Sequence, residues 1–208
     1  NYLDQEYRNS SLKDYEKTII EMAKKGYWIF RMGKSVKDKL NLYHPKVIDY
    51  ACSDRRSDFL DIWLMANCFF LISNGVGLDE VTRAFRIPVV NVSQLPLGGS
   101  CCNMGYNIVV SKKLLNKKTN ALMSLKEQID TGAIFFLTSS EYVDNDIEII
   151  NNNSDEIYDA SLELEQKLTN LWMEDSSDSQ NQKLFWNQFS KWSKFNENYG
   201  LIHPNSAY

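Results

Sequence analysis

The chain has 208 residues, 43% of them hydrophobic, and a formal net charge of −4, which is enough apolar material for a sizeable core. Its acidic balance, with an isoelectric point near 5.3, argues against a nucleic-acid polymer as partner, because backbone binders carry a basic face that displaces counterions. No apolar run approaches the roughly 20 residues that cross a bilayer. The opening NYLDQEYRNSS also lacks the charged-then-apolar order of a signal peptide, so no transmembrane segment is expected.

Cysteine and histidine usage narrows the setting further. Cys52 and Cys68 sit in apolar, strand-like runs, and the adjacent Cys101 and Cys102 are too constrained for an ordinary bridge to each other. A reducing, cytoplasmic compartment fits this usage, including a peripheral place at the inner face of the membrane. The only histidines are His44 and His203, with no CxxC or HxxxH spacing, so no metal is expected. The sequons at Asn9, Asn91 and Asn152 read as chance in an Asn- and Ser-rich chain. A start at Asn1 rather than Met reads as a fragment or a processed chain.

From Leu12 to Lys25 the apolar residues Leu12, Tyr15, Ile19, Met22 and Ala23 recur at helical steps, and Gly26 follows as a C-terminal stop. Tyr27-Trp28-Ile29-Phe30 is then a short strand ending at Arg31-Met32-Gly33. Val47 to Cys52 predicts a second strand, and Phe59 to Ala66 a largely buried helix with Ser57 as N-cap. Cys68 to Ser73 is a continuous apolar run of the kind that forms a central parallel strand. The loop Ser73-Asn74-Gly75-Val76-Gly77 opens a helix with Leu78, Val81, Thr82 and Phe85 on one stripe, and Pro88 to Val92 gives the next strand. Residues 11–93 therefore predict a Rossmann-like α/β unit.

Beyond Gly98-Gly99 the pattern loosens. Leu114 to Thr119 reads as a Lys- and Asn-rich surface stretch, and Ser124 with Glu127 has capping-box spacing ahead of a short helix. Ile157, Ala160, Leu164, Leu168 and Leu171 share one helical face. Residues 1–172 form the predicted domain, 173–182 a polar linker, and 183–208 an aromatic-rich C-terminal helix and tail with Leu184, Phe185, Trp186, Phe189, Trp192 and Phe195 on its stripe. That helix is expected to pack back on the sheet or on another domain.

In a parallel sheet ligands bind beyond the carboxyl ends of the strands, so the loops after Phe30, Cys52, Ile72 and Val92 are expected to share one edge. The glycines Gly75 and Gly77 either let the backbone approach a diphosphate or simply make a tight turn. Asp79 and Glu80 either cap the following helix or accept hydrogen bonds from ligand hydroxyls. Arg31 either clamps a phosphate or pairs with a carboxylate such as Asp58, and Asp58 and Asp61 lie three apart within reach of Arg55 and Arg56. Gly98-Gly99-Ser100-Cys101 only superficially resembles a nucleophile turn, and no Ser-His-Asp, Cys-His or Walker pattern is present.

Five stretches taken together are more specific than any one of them. They are Tyr7-Arg8-Asn9-Ser10, Gly26 to Gly33, Ile48-Asp49-Tyr50-Ala51-x-Ser53, Arg56 to Asp61 and Ser73-Asn74-Gly75-x-Gly77-Leu78, continued by Pro88 to Asn91 and Leu95 to Gly98. The ordered series, extending through about Leu168, resembles a family of bacterial glycosyltransferases of surface-polysaccharide loci. The resemblance implies the C-terminal, donor-binding half of a GT-B architecture: a parallel sheet flanked by helices, with the C-terminal helices packing back. It further implies that Arg31, Gly33 and Ser53 lie at the nucleotide and that Ser73, Asn74, Gly75, Gly77 and Leu78 hold the diphosphate of a nucleotide-sugar, with Asp79 at the helix start as the candidate acceptor for ligand hydroxyls. No cofactor is implied, since the nucleotide-sugar is the donor substrate, and the acceptor would be a glycan or lipid-linked hydroxyl. Members of the family carry an upstream segment with a Val-Arg-Asp motif that this chain lacks, so a missing N-terminal domain and the catalytic base are expected elsewhere. A non-catalytic nucleotide- or sugar-binding module is the alternative reading of the same sheet edge, and a structural partner acting through the aromatic helix is a third.

Overall fold

The computed structural model describes residues 2–75, 77–99 and 107–190. Ser11 opens the first helical segment by accepting a hydrogen bond from the Lys13 N–H, and a 3-10 turn over Leu12–Tyr15 runs into α1 (Glu16–Lys24). Thr18, Met22 and Ala23 form its buried stripe. Gly26 then takes a positive φ of 108°, which side chains with a Cβ resist, and releases the chain into β1 (Ile29–Phe30). This strand pairs in parallel with β2 (Val47–Ile48), Ile29 lying opposite Val47.

Ser57 caps α2 (Asp58–Asn67) as expected, its Oγ accepting from the Leu60 N–H at 3.2 Å. The helix is not largely buried. Its inner face holds Asp61 and Met65, while Phe59 is 72% exposed and Trp63 50%. Apolar residues surround this helix on all sides, but a helix lying on one side of a sheet buries a single stripe. Asp61 claims part of that stripe through its ion pair with Arg56.

The parallel sheet that anchors the fold contains β3 (Leu71–Ser73), then, after α3 (Asp79–Ala84), β4 (Val89–Gln94) and β5 (Ile108–Ser111), in the order β3-β4-β5. The run from Cys68 to Ser73, expected to be the central strand, supplies only the edge strand β3, and β4 takes the centre with Val90 and Val92 fully buried. Its first half packs by side chain instead of by ladder. Phe69 stacks on the Tyr27 ring at a centroid distance of 5.7 Å, and Phe70 turns toward the core under β4.

A third, antiparallel sheet follows that the sequence did not suggest. Its strands are β6 (Lys113–Asn116) and β7 (Ala121–Leu122), then, after α4 (Leu125–Asp130) and α5 (Ser139–Asp144), β8 (Ile147–Ile150), with β6 in the middle. Part of the stretch read as Lys- and Asn-rich surface is therefore an interior strand. Asn116 Oδ1 accepts from the N–H groups of Lys118 and Thr119, and Asn120 adopts a φ of 52°. The polar residues belong to that hairpin turn, which masks the strand before it. Leu114 is only 1% exposed, so Leu114→Ala is expected to lower the unfolding free energy by about 2–5 kcal/mol. Urea denaturation reads this directly, and a loss below about 0.5 kcal/mol, the ordinary range for a surface position, would return the stretch to the surface.

The Ser124–Glu127 capping box of α4 forms as predicted, and Thr138 with Glu141 builds a second one at α5. Asn153 and Glu156 build a third at α6 (Ser154–Leu168), whose Ile157, Ala160 and Leu164 pack on β4 and β5. Leu171 falls past the end of that helix and is exposed. The predicted polar linker is helical from Ser176, because Asp175 accepts from the N–H and hydroxyl of Ser177 and so starts α7 (Ser176–Ser190). Phe185, Trp186 and Phe189 pack on one another, Phe189 is buried, and α7 lies against α4. Trp192 and Phe195, Cys101 and Cys102, and the Ser100-Cys101 end of the glycine turn lie outside the described residues. The result is a mixed α/β fold with parallel sheets flanked by helices. Among the described residues no helix is long and apolar enough to cross a membrane.

Candidate functional site

The four loops expected at one edge fall into two held pairs. The first joins the ends of β1 and β2. The Arg31 N–H donates to the Ile48 carbonyl, and the Arg31 carbonyl accepts from Ala51 N–H, both at 2.9 Å. Arg31 Nη1 then donates to Asp49 Oδ1 at 3.1 Å and to the Asp38 carbonyl at 2.9 Å. Its carboxylate partner is thus Asp49, not Asp58, which is largely exposed and lies 3.8 Å from Arg56. Burial pushes the Asp49 carboxyl up, but hydrogen bonds from Leu40 N–H and Arg31 outweigh it and leave it below the usual range. Arg31 is committed to fastening the 31–40 loop. Gly33 sits in that loop at a φ of 146°, where a Cβ would lie 2.7 Å from Val36. Ser53 Oγ accepts from the Arg55 N–H, a local turn bond.

The second pair is the glycine loop and the end of β4. Ser73 is buried, and its hydroxyl donates to the Asp79 carboxylate at 2.7 Å while accepting from the Gly75 N–H at 3.2 Å. Gly75 has a φ of 80°, and a Cβ there would meet Gln94 Oε1 at 2.6 Å. Glycine is required at this position on two counts, conformation and space. Gly77 differs: a Cβ there would meet nothing within 4 Å, so the backbone stands open to solvent. Val76 lies outside the described residues. Leu78 occupies the cap position of α3 without a side-chain cap bond, and Asp79 fills the first turn of that six-residue helix. Glu80 pairs with Arg83 on the surface.

What sequence reasoning missed is a third contributor, the N-terminal segment Tyr7–Ser10. The Arg8 guanidinium donates to the Gly75 carbonyl. Asn74 Nδ2 donates to the Arg8 carbonyl at 3.3 Å and to Ser10 Oγ at 3.1 Å, and Ser10 Oγ also bonds the Tyr15 hydroxyl. From the end of β5, Lys112 Nζ donates to the carbonyls of Tyr7 at 2.7 Å and Asn9 at 2.6 Å. Lys112 is only 2% exposed, and burial pushes its ammonium down to about 8. In the sequence it is one lysine in a lysine-rich run, and nothing local marks it as interior. Tyr7-Arg8-Asn9-Ser10 carries no apolar period, so only its place in the family series singles it out.

The tip of β4 completes this edge. The register shifts between Asn91 and Gln94, and Ser93 adopts a φ of 52° while its N–H donates to Asn152 Oδ1 at 2.6 Å. Asn152 Nδ2 in turn donates to the Ser111 carbonyl at 3.1 Å. The Ser93 hydroxyl is buried and has no hydrogen-bond partner among the described residues, a pattern of local strain common at functional edges. Among the described residues no group of three or more His, Cys, Asp and Glu side chains is arranged to hold a metal.

The glycine-loop edge therefore brings together an open backbone at Gly77, the amide of Asn74, the carboxylate of Asp79 and the cation of Arg8, with Lys112 buried beneath the Tyr7–Asn9 backbone. Such a set accommodates a ligand that carries both negative charge and hydroxyl groups. Arg31, Gly33 and Ser53 belong to the other loop pair, on the separate β1-β2 sheet, where the side chains of Arg31 and Ser53 are engaged locally. Comparison of the chain with protein-family models, with curated proteins and with solved structures returns no match.

Proposed function

We propose that the chain is the donor-binding part of a nucleotide-sugar-dependent glycosyltransferase of bacterial surface-polysaccharide synthesis, with a Rossmann-like sheet of the kind found in the C-terminal half of a GT-B enzyme. The observation that carries the reading is the glycine loop at the carboxyl end of parallel β3, open at Gly77 and approached by the Arg8 guanidinium. Ligands of open α/β sheets bind at such edges, and the family resemblance supplies the ligand class. In this reading the diphosphate lies along Asn74 to Gly77, and Asp79 faces donor hydroxyls. Arg31, Gly33 and Ser53 shape the loop beside the nucleotide. The acceptor hydroxyl, glycan or lipid-linked, and the base that deprotonates it belong to a second domain in a cytoplasmic enzyme.

Calorimetric titration with UDP-, GDP-, CDP- and dTDP-sugars tests the proposal. One of these donors is expected to bind, and Gly77→Asp is expected to weaken it by at least about tenfold, because a carboxylate would then stand beside the diphosphate. The substituted side chain has open space around it, so the melting temperature should not move. Absence of binding by every donor sinks the reading.

A further inference from the structure

We propose that Arg8 is the side chain that meets the anionic group at the glycine loop, and that Lys112 is the positioning residue that holds it there. The inference rests on the donor-site reading above and adds to it the residues that supply the positive charge.

Arg8 differs from the chain's other engaged arginines. Arg31, Arg56 and Arg83 each pair with a carboxylate, Asp49, Asp61 and Glu80 respectively. Arg8 is half-buried, and its one described hydrogen bond goes to a neutral acceptor, the Gly75 carbonyl. A guanidinium has five N–H donors in a planar fork. Most of that fork remains for a ligand, and among the described residues no carboxylate neutralises it. A cation half withdrawn from water without a counter-ion gains strongly from an incoming phosphate.

The backbone that carries Arg8 is gripped residue by residue. The Tyr7 and Asn9 carbonyls accept from Lys112 Nζ, and the Arg8 carbonyl between them accepts from Asn74. The Tyr7 N–H donates to Ser139 Oγ at 3.2 Å, and the Tyr7 ring packs on Tyr142 in the core of the antiparallel sheet. Side chains thus hold three consecutive carbonyls where the 3-10 helix Tyr2–Arg8 ends and the chain passes into coil. Lys112, buried beneath the segment, grips the residues on both sides of Arg8 without lying at the open surface of the loop. It therefore acts on the ligand through Arg8.

The test uses the whole chain and two probes, inorganic pyrophosphate and the four nucleoside diphosphates, with the matching nucleosides as controls. Wild type is expected to bind at least one diphosphate probe. Arg8→Ala should weaken that binding by about 10- to 100-fold, the loss of a charge-assisted contact, with Arg8→Lys falling between. Nucleoside affinity should stay unchanged, which a merely structural role for Arg8 would not preserve. Lys112→Met should show the same selective loss, and the double variant should be no weaker than the weaker single one, as expected for two residues acting in series. Each variant is titrated well below its own melting temperature, so a folding defect is recognised as an equal loss for all probes. Diphosphate binding that is absent in wild type, or unchanged in Arg8→Ala, overturns the proposal. Additive losses overturn the role of Lys112. Pyrophosphate binding that depends on Arg8 while every nucleotide-sugar fails to bind would leave this inference standing and remove the donor reading alone.

Discussion

Asn152→Ala is expected to lower the unfolding free energy by about 2–6 kcal/mol. Asn152 is 1% exposed, and its amide bridges two strands: Oδ1 accepts from Ser93 N–H in β4, and Nδ2 donates to the Ser111 carbonyl in β5. The register between these strands shifts just before this point, so the ladder cannot satisfy both groups and the side chain does it instead. Removing the amide leaves a buried donor and a buried acceptor unpaired, each at a cost of about 1–3 kcal/mol. Asn152→Asp separates the two halves of the interaction. The carboxylate still accepts from Ser93 but faces the Ser111 carbonyl without a proton, so this variant should be unstable at neutral pH and recover partly in acid, where protonation restores a donor. Urea unfolding of both variants between pH 4 and pH 8 checks this. A loss under about 0.5 kcal/mol for alanine, typical of a surface site, would show that the bridge is dispensable. The bridge also bears on the site. Gln94 follows Ser93 and abuts Gly75, while Lys112 follows Ser111, so slack at Asn152 should reach the glycine loop from both sides.

The parts of this fold legible in the sequence are those in which a local rule and the tertiary environment agree. Gly26, Ser57 and the Ser124–Glu127 box mark helix ends by local hydrogen bonding and backbone preference alone, and all three stand where expected. The face of α6 was readable because its apolar residues fall on a single stripe. Where apolar residues surround an element, as in α2, or run on without alternation, as from Cys68 to Ile72, composition cannot say which side is covered or which strand is central. Sheet neighbours decide that. Lysines conceal interiors in the opposite direction, since Lys112 and the strand from Lys113 to Asn116 are buried or half-buried by contacts made far along the chain.

The glycine loop was the legible part of the candidate site, because φ requirements and close backbone approach leave a sequence mark at Gly75. Its cations did not. Arg31 was the visible choice, standing at the end of an apolar strand, yet Asp49 lies within reach only once β2 pairs beside β1. Arg8 reaches the loop across 67 positions of chain, a contact no local pattern encodes.

Lys112 gives the second large effect, a pH dependence of stability with a definite sign. Its ordinary value is 10.5 and burial lowers the folded-state value to about 8. Below pH 8 the side chain is charged in both the folded and unfolded states, and the cost of burying the ammonium is fully present. Between pH 8 and 10.5 the unfolded chain holds the proton and the folded chain has released it, so stability rises with pH. The gain amounts to about 2 kcal/mol by pH 9.5. It is isolated by the difference between wild type and Lys112→Met: the two carbonyls orphaned in the variant cost the same at every pH and drop out of the slope. Burial raises the tyrosine hydroxyls of Tyr7, Tyr15, Tyr27 and Tyr142, and these oppose the trend only once the unfolded tyrosines ionise near pH 10. A difference that is flat from pH 7.5 to 9.5 would mean that Lys112 is solvated in the folded protein. The same window separates its role from that of Arg8. A neutral lysine amine still donates two hydrogen bonds, enough for the Tyr7 and Asn9 carbonyls that hold the backbone of Arg8 in place. Diphosphate affinity should therefore hold steady while stability climbs. A fall in affinity over that interval would place the Lys112 charge itself on the ligand.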